Sequence, residues 1–239
     1  MTITRGVMPA PAARQFPAKY LVFTAIAAMT AYVLYHNERF LIDPAHPIWN
    51  HYEPFKWWLL PHGLAGACAL LLAPLQFAEG LRRRHTTLHR TIGTFYIIGV
   101  FILGPLGLYI QYLDEAQGAA RSFTVETIIQ SSTLMITTAI GLYFALKRQF
   151  NYHRQWMIRS YAVALTFIEI RVILGVSGLD DPFDWHILET VVWSCVAASV
   201  LIGDIANQLY DGHLERLRTA AAAAARAVER PRRMAAAGG

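Results

Sequence analysis

The residues that could do chemistry are histidines and charged side chains set into long apolar runs. His62 lies about one turn inside such a run, in Leu60-Pro61-His62-Gly63, and His186 opens another run from the same side. Two neutral imidazoles on facing helices are what bis-histidine haem b needs, and a glycine beside one of them helps admit a flat porphyrin. His89 and His153 offer a second pair at the opposite side, with Arg90 in the same cofactor-binding set. Together the pairs would imitate a two-haem transmembrane cytochrome. The plain alternative is that histidines at helix mouths are interfacial anchors.

Glu169 and Arg171 fall in one apolar run, two residues apart, so on a helix they point to different faces. Each needs a partner from another helix, and the acidic residues at comparable depth are Glu126 and Glu189. Ionisable groups at such depth face the bundle interior and are functional candidates. Arg171 would neutralise a haem propionate or a semiquinone, while Glu126, Glu169 or Glu189 would handle protons or substrate. A structural ion pair locking the bundle is the competing reading.

Other ligand sets are weaker. His85 and His89 have the i, i+4 spacing of a helical metal site, but Arg82, Arg83, Arg84 and Arg90 surround them, which suits an anion better than a cation. His36, His46 and His51 accompany Asp43 and Glu53 without tight ligand spacing, so no metal site is assigned. Cys68 and Cys195 lie in apolar runs and read as packing residues rather than a disulfide framework. There is no Walker loop, GxSxG, HExxH or dinucleotide fingerprint, so no catalytic residue is assigned. Gly104-Pro105-Leu106-Gly107 reads as a helix kink, although broken helices do line transporter cavities.

The elements that must position these residues follow from composition. Of 239 residues, 55% are hydrophobic and 15% charged, against about 25% charged in soluble chains. Six runs are long enough to cross about 30 Å of hydrocarbon, namely Ala18–Tyr35, Trp57–Phe77, Ile92–Leu113, Val125–Leu146, Met157–Val176 and Ile187–Ile205. The expected fold is an all-α polytopic membrane helix bundle. Residues 1–17 would be a cytoplasmic N-terminal segment, 18–208 the transmembrane domain and 209–239 a basic Ala/Arg-rich cytoplasmic tail. The first run follows Arg5, Arg14 and Lys19 but no small-x-small cleavage site succeeds it, so it reads as an uncleaved span.

Basic residues alternate between the connecting segments. The inner ones would hold Arg82, Arg83, Arg84 and Arg90, then Lys147, Arg148, Arg154 and Arg159, then the tail; the outer ones hold Arg39 and Lys56, then Arg121, then none. Both termini are therefore predicted in the cytoplasm. Trp49, Tyr52, Trp57, Trp58, Tyr112, Phe183 and Trp185 would form the outer aromatic belt. The net charge of +5 lies beside apolar segments, so anionic lipid headgroups are the expected partner rather than nucleic acid. Only three of 21 basic residues are lysine, a bias that suits a GC-rich bacterial genome and hence a bacterial inner membrane.

Leu88-His89-Arg90 and Tyr152-His153-Arg154 open the third and fifth spans 64 residues apart, an echo of a repeated two-span unit. The run His62-Gly63-Leu64-Ala65-Gly66 through Ala73-Pro74-Leu75-Gln76-Phe77, then Leu88-His89-Arg90-Thr91-Ile92-Gly93-Thr94-Phe95-Tyr96, then His153-Arg154-Gln155-Trp156-Met157-Ile158-Arg159-Ser160 and Arg171, resembles the bacterial membrane-protein family called domain of unknown function 2306 (DUF2306). The resemblance covers roughly positions 57 to 205. It implies a multi-span inner-membrane protein with His62, His89, Arg90, His153, Arg154, Arg159 and Arg171 in the shared pattern, and it implies no activity. His186 is outside that pattern.

The leading expectation is a haem b- or quinone-binding electron-transfer protein with its site in the outer half. The rivals are a small-molecule transporter or exporter, with Arg171 and Glu169 central, and a non-catalytic scaffold or assembly subunit, as a homo-oligomer or within a membrane complex.

Overall fold

A computed structural model describes residues 18–179 and 184–237. All regular elements among them are helical: α1 (Ala18–His36), a 3-10 turn (Arg39–Ile42), α2 (Ile48–Tyr52), α3 (Lys56–Gln76), α4 (Glu79–Arg84), α5 (Thr86–Ala116), α6 (Arg121–Leu146), α7 (Phe150–Ser177) and α8 (Trp185–Ala237). Five of these, α3 and α5 to α8, are long and apolar enough to cross a membrane, and the described part of α1, Tyr20–His36, is a shorter apolar helix.

Chain reversals sit where backbone chemistry allows them. Gly178 adopts a left-handed φ of 66° and caps α7 by donating its N–H to Leu174 O. Gly118, at φ 106°, turns the chain between α5 and α6. Pro61, Pro74 and Pro105 lie inside helices, and α5 continues through Gly104-Pro105-Leu106-Gly107.

Four helices form a ring in which α3 packs on α5, α5 on α6, α6 on α7 and α7 back on α3. Successive helices run antiparallel, so α5 and α7 stand diagonally and run the same way. Helix α8 packs outside on α7 and α6, and α1 packs on α7. Leu64, Phe95, Ile136 and Leu201 are exposed, while Thr138, Ser160, Thr166 and Ser199 are buried. A water-soluble bundle has the opposite pattern; hydroxyls inside and apolar residues outside suit a lipid surround.

The last span and the tail are continuous. The predicted span Ile187–Ile205 and the segment after Leu209 are one helix, α8, of 53 residues. At 1.5 Å per residue it is about 80 Å long, far more than a crossing requires. Its alanine-rich second half contains good helix formers, so nothing ends the helix at the membrane surface. Phe183, assigned to the outer belt, and Arg5 and Arg14 lie outside the described residues.

Candidate functional site

Arg171 of α7 meets Glu38, with Nε 3.4 Å from Oε1, and its guanidinium lies 3.7 Å from the Phe167 ring centroid. This corrects the expectation that Glu126 or Glu189 is the partner. Glu38 reaches Arg171 because the chain after α1 folds back over the end of the bundle where α5 and α7 finish. Phe40 and Phe55 are buried there, and the Trp49 indole N–H is shared between Phe40 O and Asp43 O, each at 3.1 Å. Burial raises the Glu38 carboxyl above its ordinary range, opposed by the positive charge of Arg171. Burial likewise raises the Tyr52 phenol, which lies close enough to feel Arg171, Glu38 and Asp114. His51 Nε2 lies 3.5 Å from Asp114 Oδ1, a second tie between this cover and the bundle.

A cavity of about 280 Å³ opens between the C-terminal parts of α5 and α7 and the N-terminal parts of α6 and α8. Gln111, Asp114, Glu126, Gln130 and Arg171 contribute its polar lining, and Phe123, Phe167 and Trp185 its aromatic walls. Arg171 keeps 32% of its side-chain surface open. Gln111 Nε2 and Glu126 Oε1 are buried without a hydrogen-bond partner, although Thr127 Oγ1 donates to Glu126 Oε2 at 3.3 Å. A donor and an acceptor left over in one membrane-depth cavity are costly unless a ligand uses them.

The histidines sort differently. His62 Nδ1 donates to Leu103 O at 3.0 Å, and its ring fills the space of a side chain at Gly107, whose added Cβ would lie 3.0 Å from His62 Cε1. The glycine that matters therefore accommodates the imidazole itself. Gly63, expected beside a porphyrin, faces open space. His186 is exposed at the start of α8, a helix that packs on α7 and α6 rather than on α3. His62 and His186 are thus not on facing helices, and the outer haem pair is not assembled. Glu169 on α7 and Glu189 on α8 are both half-buried.

At the opposite end of the bundle, His153 Nδ1 donates to Gly141 O of α6 at 2.8 Å, and His89 lies near the start of α5. Arg154 and Arg159, both expected near the inner mouth, are tied to α8: Arg154 Nη2 lies 2.5 Å from Asp211 Oδ1 and Arg159 Nε 2.6 Å from Asp204 Oδ1. No cluster of three or more His, Cys, Asp and Glu side chains suited to a metal ion occurs among the described residues.

The family model described as "Predicted membrane protein (DUF2306)" matches residues 59–206. The chain belongs to this family. The DUF2306 region contains the whole cavity lining together with His89 and His153, whereas Glu38, His51, Tyr52 and Asp211 lie outside it. Comparison with curated proteins and with solved structures gives no match.

Glu38, Gln111, Asp114 and Gln130 were not singled out from sequence. Gln111 and Gln130 are uncharged and fall in or beside apolar runs, and Glu38 follows its run in what reads as a solvated loop. A count of every polar side chain at outer depth, neutral amides included, would have gathered them.

Proposed function

We propose that this DUF2306 protein is a six-span bacterial inner-membrane protein, with both termini cytoplasmic, that binds a quinone head group in the outer cavity and belongs to membrane redox chemistry. The observation that carries this is the shared cavity of Arg171, Glu126 and Gln111, with unpartnered polar atoms on Gln111 and Glu126. A quinone is a flat ring with two carbonyl acceptors, and its quinol carries two hydroxyl donors. Gln111 Nε2 and the Arg171 guanidinium suit the carbonyls, Glu126 suits a quinol hydroxyl, and Phe123, Phe167 and Trp185 suit the ring faces. At about 280 Å³ the cavity is near the lower bound of about 300 Å³ for drug-sized ligand pockets, which matches one substituted ring. Leu188 and Val192 continue the lining along α8 and suit the start of an apolar tail. The unbroken α5 lends no support to a transporter built on a broken helix.

Purified protein should bind decylubiquinone, read by calorimetry and by quenching of tryptophan fluorescence. Glu126→Gln should weaken decylubiquinol and Gln111→Leu decylubiquinone, each about tenfold, the loss expected when one buried hydrogen bond is removed. Equal binding of an alkylbenzene without ring oxygens, or unchanged affinity in both folded variants, would overturn the assignment.

A further inference from the structure

The inner histidine pair has a geometry that the outer pair lacks. Tyr96 Oη on α5 and Ser160 Oγ on α7 meet at 2.6 Å across the bundle diagonal, 64 residues apart in sequence, and both are buried. His89 precedes Tyr96 by seven residues and His153 precedes Ser160 by seven. Seven residues are nearly two full turns, about 10.5 Å of rise and only about 20° of drift. Both imidazoles therefore leave the helix faces that turn towards each other at the Tyr96–Ser160 contact, about 10 Å nearer the inner end.

Their nitrogens suit a metal. A carbonyl can only accept, so the bond from His153 Nδ1 to Gly141 O puts the proton on Nδ1 and leaves the lone pair on Nε2. Metal-bound histidines are typically oriented in this way, by donating the other ring N–H to a backbone carbonyl. His89 Nδ1 is buried with no hydrogen-bond partner. Arg82 in the last turn of α4 and Arg90 next to His89 in the first turns of α5 supply cations for two carboxylates at the bundle edge. With two imidazoles and no third ligand among the described residues, a bare ion would be under-coordinated. An iron already held by four porphyrin nitrogens lacks only the two axial positions.

We infer that His89 and His153 are axial ligands of one haem b at the inner end of the bundle, with Arg82 and Arg90 as propionate partners. This site is independent of the quinone reading. Gln111 lies twenty-two positions after His89 on α5, about 33 Å of helix, so each ligand can bind without the other.

The test is spectroscopic. Full-length protein expressed with added haem precursor should purify with about one haem per chain by pyridine haemochrome assay, low-spin by electron paramagnetic resonance, with a dithionite-reduced-minus-oxidised b-type difference spectrum. His89→Ala and His153→Ala should each lower the haem content at least tenfold, while His62→Ala and His186→Ala leave it unchanged. Because an alanine variant could fail by misfolding, His89→Met and His153→Met are the second arm, and each should retain haem with an altered spectrum and a raised potential. Wild-type protein without a Soret band, haem retained at full stoichiometry in the double alanine variant, or loss of haem on replacing His62 instead would overturn the inference. Decylubiquinone titration of the haem-free His89→Ala protein reports separately on the outer cavity.

Discussion

Arg171 and Glu38 join one end of the DUF2306 bundle to a loop that precedes the matched region, with 3.4 Å between Nε and Oε1. The contact ties the segment after α1 to a residue that lines the cavity, so stability and ligand binding share one charge pair. Removing either partner leaves the other charge poorly compensated at low dielectric, a change that costs about 3–5 kcal/mol for buried pairs. Arg171→Leu should destabilise the purified protein by about 3 kcal/mol, towards the lower end because the guanidinium is partly open. Adding Glu38→Gln should return most of that stability without restoring quinone binding. Melting of the two single variants and the double variant checks the cycle, and additive losses would show that the pair is not coupled.

The same carboxyl gives a pH dependence. Burial holds Glu38 above its ordinary value of about 4.3. Between that value and its raised value the folded protein keeps a proton that the unfolded chain has released. Folding is therefore favoured on the acid side of this window, and stability falls as pH rises through it. Glu38→Gln should flatten this slope in thermal melts between pH 4.5 and 7.5. An unchanged slope would assign it to another group.

How much of this was legible in the sequence depends on distance along the chain. The five long helices were, because hydropathy over about 20 residues is a local property, and Arg171 and Glu126 stood out as charges within apolar runs. The partner of Arg171 was not, because Glu38 is 133 residues away and the fold-back of the segment between α1 and α3 depends on Phe40 and Phe55 being buried. The 64-residue echo was visible, but not its meaning, which needs the diagonal placement of α5 and α7. Gly107 was read as part of a kink, whereas it makes room for His62, a contact that no periodicity encodes.

Close helix approach predicts opposite outcomes for two glycines of the bundle. A methyl group at Gly99 would lie 3.0 Å from the backbone oxygen of Ala65, which cannot move without shifting α3. Gly66 has nothing within 4 Å of an added Cβ. Gly99→Ala should therefore cost about 1–3 kcal/mol through overpacking, and Gly66→Ala should gain about 0.5–1 kcal/mol from helix propensity. Thermal unfolding of both variants in one detergent decides it, and the same sign for both would contradict the α3–α5 packing.

Tyr96, Ser160 and Thr138 form a hydroxyl chain, with Ser160 Oγ 2.6 Å from Tyr96 Oη and 2.7 Å from Thr138 Oγ1. Thr138 Oγ1 also lies 2.7 Å from Leu134 O, which can only accept, so the Thr138 proton goes there and Ser160 donates to Thr138 while Tyr96 donates to Ser160. Tyr96→Phe removes the first donor and leaves a buried Ser160 acceptor, a loss of about 1–2 kcal/mol. Ser160→Ala should cost more, because it strands the Tyr96 hydroxyl. If Ser160→Ala proves the milder of the two, the donor order is reversed.

The N-terminal turns of α7 and the middle of α8 are clamped by a separate polar network. Asp211 accepts from Arg154 at 2.5 Å and from Gln155 at 2.9 Å, Asp204 accepts from Arg159 at 2.6 Å, and Asn207 Nδ2 donates to Gln155 O at 3.0 Å. The Arg154 guanidinium also lies 4.0 Å from the Tyr210 ring centroid. These contacts hold about two turns of α8 against α7 just where its apolar stretch ends, and Gly203 permits the approach because its added Cβ would lie 3.0 Å from Arg159 Cα. Asp204 and Asp211 are too exposed for their ion pairs to decide global stability, since water and salt screen them. Their effect is local: they hold this part of α8 against α7. Asp204→Asn with Asp211→Asn should raise hydrogen exchange of α8 from about Asn207 onward several-fold and hasten its proteolysis, with melting and decylubiquinone binding unchanged. Raising salt to about 0.5 M should reproduce part of the effect in wild-type protein. Equal protection of this segment in variant and wild type would mean that the Arg159–Gly203 approach alone holds α8 in place.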